Sequence, residues 1–336
     1  MRISFLFGAI VILFTLSAPF GMAQKSNPLP ANEGSNLLAS LPAADAVALI
    51  KVKRVLDEAM PKLLAPNPAK LAEANAAIEK FKISTGLDPR LFDQIALGLS
   101  YTYPREGITK VRTVGLASGS FSAGAIVAAG RIATNGKYEE QKYQGKTIYL
   151  FSLEQQLKVL GLFELQLSKL AVSPLDNHTL ALGDIDGVRR VIDASKHRGR
   201  VNTELIALAS RDPNAIVGFG GNIPPALIRN LRVTNDAIAR DLTAVRQVYG
   251  SVGLSDRNFE LLVAARTVDE YAARNLGNTV EALKQFGALF INRLPAAKSA
   301  LARSALGNLK VTNQGNELQI RTAVAQADIA PLVGRN

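Results

Sequence analysis

Two stretches of this chain carry the same order of residue types. "LAVSPLDNHTLALGDIDGVRRVI" runs from Leu170 to Ile192, and "LKVTNQGNELQIRTAVAQADIAPLV" runs from Leu309 to Val333. Each reads as a strand, a polar turn, a second strand and a short helix. Apolar and polar residues alternate with period two in the strands, and the breaks between them hold turn formers: Pro174 to Asn177 in one, Asn313 to Asn316 in the other. A hairpin closes over a few residues, whereas parallel strands need a long crossover. The expected fold is therefore α+β, with two similar halves, each a mainly antiparallel sheet packed with helices.

The remaining segments fit around these hairpins. In the first half, Ala46 to Val52 reads as a strand followed by a helix. "PAKLAEANAAIEKFKI" places Leu71, Ala74, Ile78 and Phe81 on one helical face. "FDQIALGLSY" and "VRTVGLASGSF" read as strands. "SFSAGAIVAAGRIATNG" reads as a small-residue helix that stops at Asn135-Gly136, with Ser120 or Ser122 as its cap. A hairpin turns at Gln144-Gly145. In the second half, "DPNAIVGFGGNIPPALI" gives a strand and a helix, and two strands flank Leu254 to Arg257. "TVDEYAARNLGNTVEALKQFGALFINRL" is a long helix, read as opening on a capping box of Thr267 and Glu270. Its apolar face would hold Tyr271, Leu276, Val280, Leu283 and Phe286.

The N-terminus reads as a secretory signal. Arg2 supplies the positive region, "ISFLFGAIVILFTL" the apolar core, and Gly21 and Ala23 the small residues before a cleavage site. The apolar run is shorter than the roughly 20 residues of a spanning helix, so removal is expected, with retention as an anchor the other outcome. Removal takes away one cation and no acid, leaving a strongly basic chain, since the whole carries +11. An exported protein without a single cysteine has no disulfide staples and no thiolate chemistry, so packing alone must hold it. The expected organisation is a signal peptide at 1–23, a flexible leader at 24–40, a first unit at 41–196 and a second at 197–336. The location would be periplasmic or extracellular, with no membrane-spanning segment once the signal is gone.

"LPAADAVALI", "GSFSAGAIVAAG…YEEQKYQGKTIYLF", "LDNHTLALGDIDGVRRVIDA" and "YGSVGLSDRNFELLVAAR" together resemble a group of exported bacterial proteins built from two α+β halves and catalogued as domains of unknown function. The resemblance covers most of residues 41–334. It implies the fold and export, and it brings no catalytic residue with it.

Several candidate sites reduce to structure. In "TLALGDIDGVRRVIDAS", Asp184 is placed to cap a helix and Asp186 to sit in its first turn, where the helix dipole favours a negative charge. A calcium loop would need more oxygens within a dozen residues. His178 and His197 have no metal-binding spacing, and the serines have no GxSxG elbow. "GLASGSFSAG" lacks the lysine of a phosphate loop. Glu139-Glu140 and Asp57-Glu58 are not placed to act as pairs. No catalytic residue, cofactor or metal is expected.

One surface feature is left. Arg189, Arg190, Lys196, Arg198 and Arg200 fall within one short run, and Arg229, Arg232, Arg240 and Arg246 add charge further on. Such a cluster either solvates a face or meets polyanions. Nucleic acid is not the expected partner: the chain has no tryptophan and the cluster no interleaved aromatics. The expected function is an exported, non-enzymatic protein that acts by binding or structural association in the envelope, with an anionic polymer or membrane surface as partner. The alternatives are a carrier holding an apolar ligand beneath the small-residue helix, and a hydrolase whose acids converge from both halves. The sequence sets no oligomeric state.

Overall fold

The computed structural model describes residues 32–85, 88–134, 136–152, 157–159, 163–165, 169–196, 198–230, 233, 235–291, 294 and 296–333. The segment read as a signal peptide, the start of the leader, Asn135, His197 and Arg232 lie outside them.

The first half begins with α1 (Asn32–Ala39) and β1 (Ala46–Ile50). A helical stretch follows, α2, made of Val52–Arg54, one π-type turn at Val55–Ala59, and Met60–Leu64. Then come α3 (Pro68–Thr85) and the hairpin of β2 (Phe92–Arg105) and β3 (Ile108–Gly119). Helix α4 (Ala123–Ala133) leads to the hairpin of β4 (Tyr138–Tyr143) and β5 (Lys146–Ser152). A short pair, β6 (Leu157–Val159) and β7 (Phe163–Leu165), stands apart from the main sheet. The hairpin of β8 (Lys169–Pro174) and β9 (Thr179–Gly183) and helix α5 (Ile185–Ser195) close this half. The second half runs α6 (Thr203–Ala209), β10 (Val217–Asn222), α7 (Pro225–Asn230), α8 (Asp236–Thr243), β11 (Val245–Leu254) and β12 (Asn258–Thr267). It ends with α9 (Glu270–Phe290), α10 (Ala296–Gly307), β13 (Lys310–Gln314), β14 (Glu317–Ala325) and α11 (Gln326–Val333).

The fold is α+β, and its halves lie edge to edge in one antiparallel sheet of 12 strands. The order is β13-β14-β12-β11-β10-β1-β2-β3-β9-β8-β5-β4. From the central β1–β10 pair, one side reads β2, β3, β9, β8 and the other reads β11, β12, β14, β13; β5 and β4 extend the first side. The central register runs from Ala46↔Gly221 to Ile50↔Val217.

Helices cover both faces, and strand alternation decides which. Val47 and Leu49 of β1 join Leu38 of α1, Leu205 of α6 and Val191 of α5 in a core that crosses from one half to the other. On the opposite face, Ile50 and Ile95 meet Val52 and Leu56 of α2 and Ile78 of α3. The seat of α6 depends on glycine. A Cβ at Gly218 would lie 2.1 Å from the Ala209 carbonyl oxygen, and one at Gly220 would lie 2.7 Å from Leu208 Cβ. The hairpin of β4 and β5 turns through Gln144 at φ 49° and Gly145 at φ 82°. Left-handed residues at both positions match the right-handed twist of the flanking strands.

The structure departs from the sequence reading in several places. Residues 32–39, inside the segment read as a flexible leader, form α1, because Leu37 and Leu38 find buried places on the sheet. Thr267 ends β12 and does not cap α9; its hydroxyl donates to the Asn316 and Asp269 carbonyls. The cap is Asp269, which accepts from the Ala272 N–H at 2.8 Å. Ser122 occupies the N-cap position of α4 without a side-chain hydrogen bond. The buried stripe of α9 is Ala272, Ala273 and Leu276, while Tyr271, Leu283 and Phe286 of the expected face are exposed, as is Phe81 of α3.

Candidate functional site

Gly183 ends β9 at φ 153°, and the next residue, Asp184, is the N-cap of α5. Asp184 caps that helix, its Oδ1 accepting from the Gly187 N–H at 2.6 Å. From β3, Arg112 reaches across and donates to Asp184 at 3.3 Å and to Asp186 Oδ2 at 2.8 Å. Hydrogen bonds to these two carboxylates raise the guanidinium pKa above its ordinary value. The pair that opened the metal question is thus a cap and a clasp between sheet and helix. His178 is likewise structural, its Nδ1 hydrogen-bonded to the Phe121 carbonyl at 3.1 Å.

The basic run divides into two groups. Arg189 donates to Gln141 Oε1 at 2.9 Å and lies 5.5 Å over the Tyr143 ring, with Asp186 4.0 Å away. Lys196 donates to the Gln144 carbonyl at 2.9 Å, and Arg200 Nε to the Ala194 carbonyl at 3.0 Å. These three cations tie the end of α5 to its surroundings. Arg190 and Arg198 do not share that role. Both line a hollow of about 470 Å³ together with Tyr143, Asp193 and Gly199. Among the described residues neither forms a salt bridge, and Arg190 Nε is buried without a hydrogen-bond partner. The acid in the hollow, Asp193, accepts from the Tyr143 hydroxyl at 3.0 Å, which raises the tyrosine pKa.

A second charged assembly lies in the other half, where sequence reading placed no site. Tyr249 of β11 is 1% exposed, and its hydroxyl donates to Glu317 Oε1 at 2.5 Å. Glu317, at the start of β14, also accepts from Gln319 at 2.6 Å, Arg266 Nε at 3.2 Å and Arg211 at 3.3 Å. Arg211 hydrogen-bonds the Tyr249 oxygen as well, with its guanidinium carbon 4.8 Å from the ring centroid. Burial opposes ionisation of Glu317. The hydrogen bonds from Tyr249, Gln319 and Arg266, and the charge of Arg211, outweigh it and hold the carboxyl at about 2. Tyr249 moves the other way, to about 12, through burial and then its bond to the carboxylate. Above this assembly lies an open cleft of about 540 Å³, walled in part by Arg211, Arg246, Arg266 and Gln247.

The signal for this second site was partly visible. Glu317, Gln319 and Arg321 alternate with Leu318 and Ile320, so one face of β14 is polar over its first five residues. What brings Arg266 opposite Glu317 is the β12–β14 register, and Arg211 arrives from the loop after α6. Neither follows from spacing along the chain.

Two observations bear on the alternatives. The space beneath α4 is filled: a Cβ on Gly130 would stand 2.7 Å from the Phe151 ring, and Phe121 and Ile126 pack beside it. Glu317, the acid at the centre of the second assembly, is ionised near neutral pH, with its charge met by Arg211 and Arg266. Among the described residues, no helix is long and apolar enough to cross a membrane.

No family model matches the chain, and no curated protein matches it. The resemblance to exported proteins of unknown function is therefore carried by the quoted residues alone. Among solved structures, three crystal forms of TP0453 are similar to it. Form I shows 9% identity over 88% of this chain and 96% of that one, with a TM-score of 0.43. Form IV shows 10% identity over 93% and 98%, with a TM-score of 0.45, and form III shows 10% over 92% and 98%, with a TM-score of 0.43.

Proposed function

We propose that this protein is exported and non-catalytic, and that it binds polyanionic surfaces in the envelope through the basic end of α5. The observation that carries the reading is the state of Arg190 and Arg198. Both border one hollow, neither is matched to a carboxylate among the described residues, and the nearby Asp193 is engaged by Tyr143. Arg189, Lys196 and Arg200 add positive charge around them while holding the helix end in place. A patch of this kind binds through long-range attraction, and that attraction is screened over about 8 Å at physiological salt.

The test uses heparin as the anionic polymer and vesicles rich in phosphatidylglycerol as the anionic surface. The protein should bind at least one at low salt and release as salt rises. The double variant Arg190→Gln/Arg198→Gln should elute at clearly lower salt with an unchanged melting temperature. Failure to bind either probe at low salt, or elution unaltered by the double variant, would refute the reading.

A further inference from the structure

The cleft over β11, β12 and β14 is a separate matter from the basic end of α5. It lies in the other half and is built differently. Arg266 and Arg211 converge on one buried carboxylate, Glu317, whose side chain is only 12% exposed. That carboxylate is fixed from beneath by Tyr249 and from the side by Gln319. The two guanidiniums are thus oriented before any ligand arrives, and little freedom remains to be lost on binding. Arg266 also spans to Glu204 at 3.1 Å and to Gln247 at 3.3 Å.

The charge balance leaves one cation over. Arg211 and Arg266 are offset by Glu317 and Glu204. Arg246, on the same cleft, meets only backbone carbonyls among the described residues: Thr243 at 2.8 Å and Val245 at 3.1 Å. Its remaining N–H groups suit the planar, two-oxygen edge of a carboxylate or phosphate. The neutral wall is made of amides, Gln247, Gln314 and Asn316. Amides both donate and accept, which matches hydroxyl groups. The one aromatic ring of the assembly, Tyr249, is buried beneath it and offers no stacking surface to a flat ligand.

We infer that this cleft binds a small, hydroxyl-rich molecule bearing one anionic group, with Arg246 meeting the anion and the amide wall meeting the hydroxyls. Its volume of about 540 Å³ suits a compact molecule rather than a polymer chain. A sugar acid and a sugar phosphate share the required chemistry, and the experiment separates them.

Isothermal titration of the whole protein with glucuronate, glucose 6-phosphate and glucose supplies the test. At least one charged probe should bind with a Kd below about 1 mM, and glucose should bind more weakly than that probe. Arg246→Gln should weaken the charged probe by about tenfold or more, the loss expected for one charge-assisted contact. Gln314→Ala, at the exposed end of β13, should weaken it less. Arg190→Gln/Arg198→Gln should bind as the wild type does, which keeps this site distinct from the polyanion surface. The inference falls if neither charged probe reaches that affinity, if glucose binds as well, or if Arg246→Gln binds undiminished. Arg246 is exposed, so its replacement should fold, and an unchanged melting curve checks this.

Discussion

On the sheet face that carries α1 and α6, the first half presents Val114, Leu116, Ala181, Ala171, Ile148 and Leu150, and α5 lies over them through Val188, Val191 and Ile192. The same face of the second half keeps Tyr249, Ala264 and Leu262 in that core, and beside them presents Arg266, Gln247, Glu317, Gln319 and Arg321. The helix that follows β14, α11, holds the place in the order that α5 holds after β9. It packs on the other side, with Ile329 against Phe259 and Ile216. One order of elements thus gives one half a dry, helix-covered surface and the other a wet, charged one. The strand residues decide this: a helix is retained where its apolar stripe meets apolar strand positions, and a row of Glu, Gln and Arg offers it none.

The sharpest way to break this comparison is to cut into each surface in turn. Ile192 of α5 is fully buried against the sheet, and Ile192→Ala should cost about 2–5 kcal/mol in urea unfolding. Arg321→Ala, on the charged surface, should stay within about 0.5 kcal/mol. Equal losses would mean that the second surface is covered as tightly as the first.

A smaller effect is expected at Glu317. Glu317→Gln removes the charge that receives Arg266 and Arg211, and should cost about 1.5–3 kcal/mol at neutral pH, the range for hydrogen bonds to a charged group. The pH dependence has a fixed sign. The folded carboxyl titrates at about 2 against an ordinary 4.5, so its stabilisation is complete above 4.5 and fades as pH falls from there toward 2. The gap between wild type and Glu317→Gln should narrow across that window. A gap that stays constant down to pH 2 would show that the carboxylate charge contributes nothing.

The smallest effect belongs to the clasp between β3 and α5. Asp184→Ala removes the cap and one partner of Arg112, and should lower stability by about 1 kcal/mol. Thermal or urea unfolding measures it. A loss near zero would mean that the apolar stripe of α5 alone holds the helix to the sheet.

Much of the fold was readable because its hairpins are local. Gln144-Gly145 and Leu254–Arg257 mark turns where the sequence placed them, and the turn read at Asn313 to Asn316 narrows to Gly315-Asn316. Asp184 could be assigned as a cap because capping involves only the next turn of chain. Helices α1, α6, α8 and α10 escaped notice for the converse reason. Each is short or rich in small residues, and each exists because a distant surface receives it, as β10 receives α6 across Gly218 and Gly220. The charged cleft was illegible on the same ground: Arg211, Tyr249, Arg266 and Glu317 meet only through strand register and a loop. The basic run at α5 was visible as composition, but not its division. Among the described residues Arg189 and Lys196 are engaged by β4 and its turn and Arg200 by the Ala194 carbonyl, while Arg190 and Arg198 meet no carboxylate.

The central pairing of β1 with β10 also orders events in time. Every other strand that contacts β1 through β9 in the main sheet lies in the first half. As the chain is synthesised, that half can complete its sheet from β4 to β1 while β10 is still unmade. Until residue 222 has emerged, β1 shows a free row of N–H and C=O groups along Ala46–Ile50, and an open edge is where strands of other molecules add. The strand that finally seals it, "VGFGGN", is short and glycine-rich. Such a strand has little side-chain bulk to pack, so the closure of the newborn protein rests on α6 arriving with it.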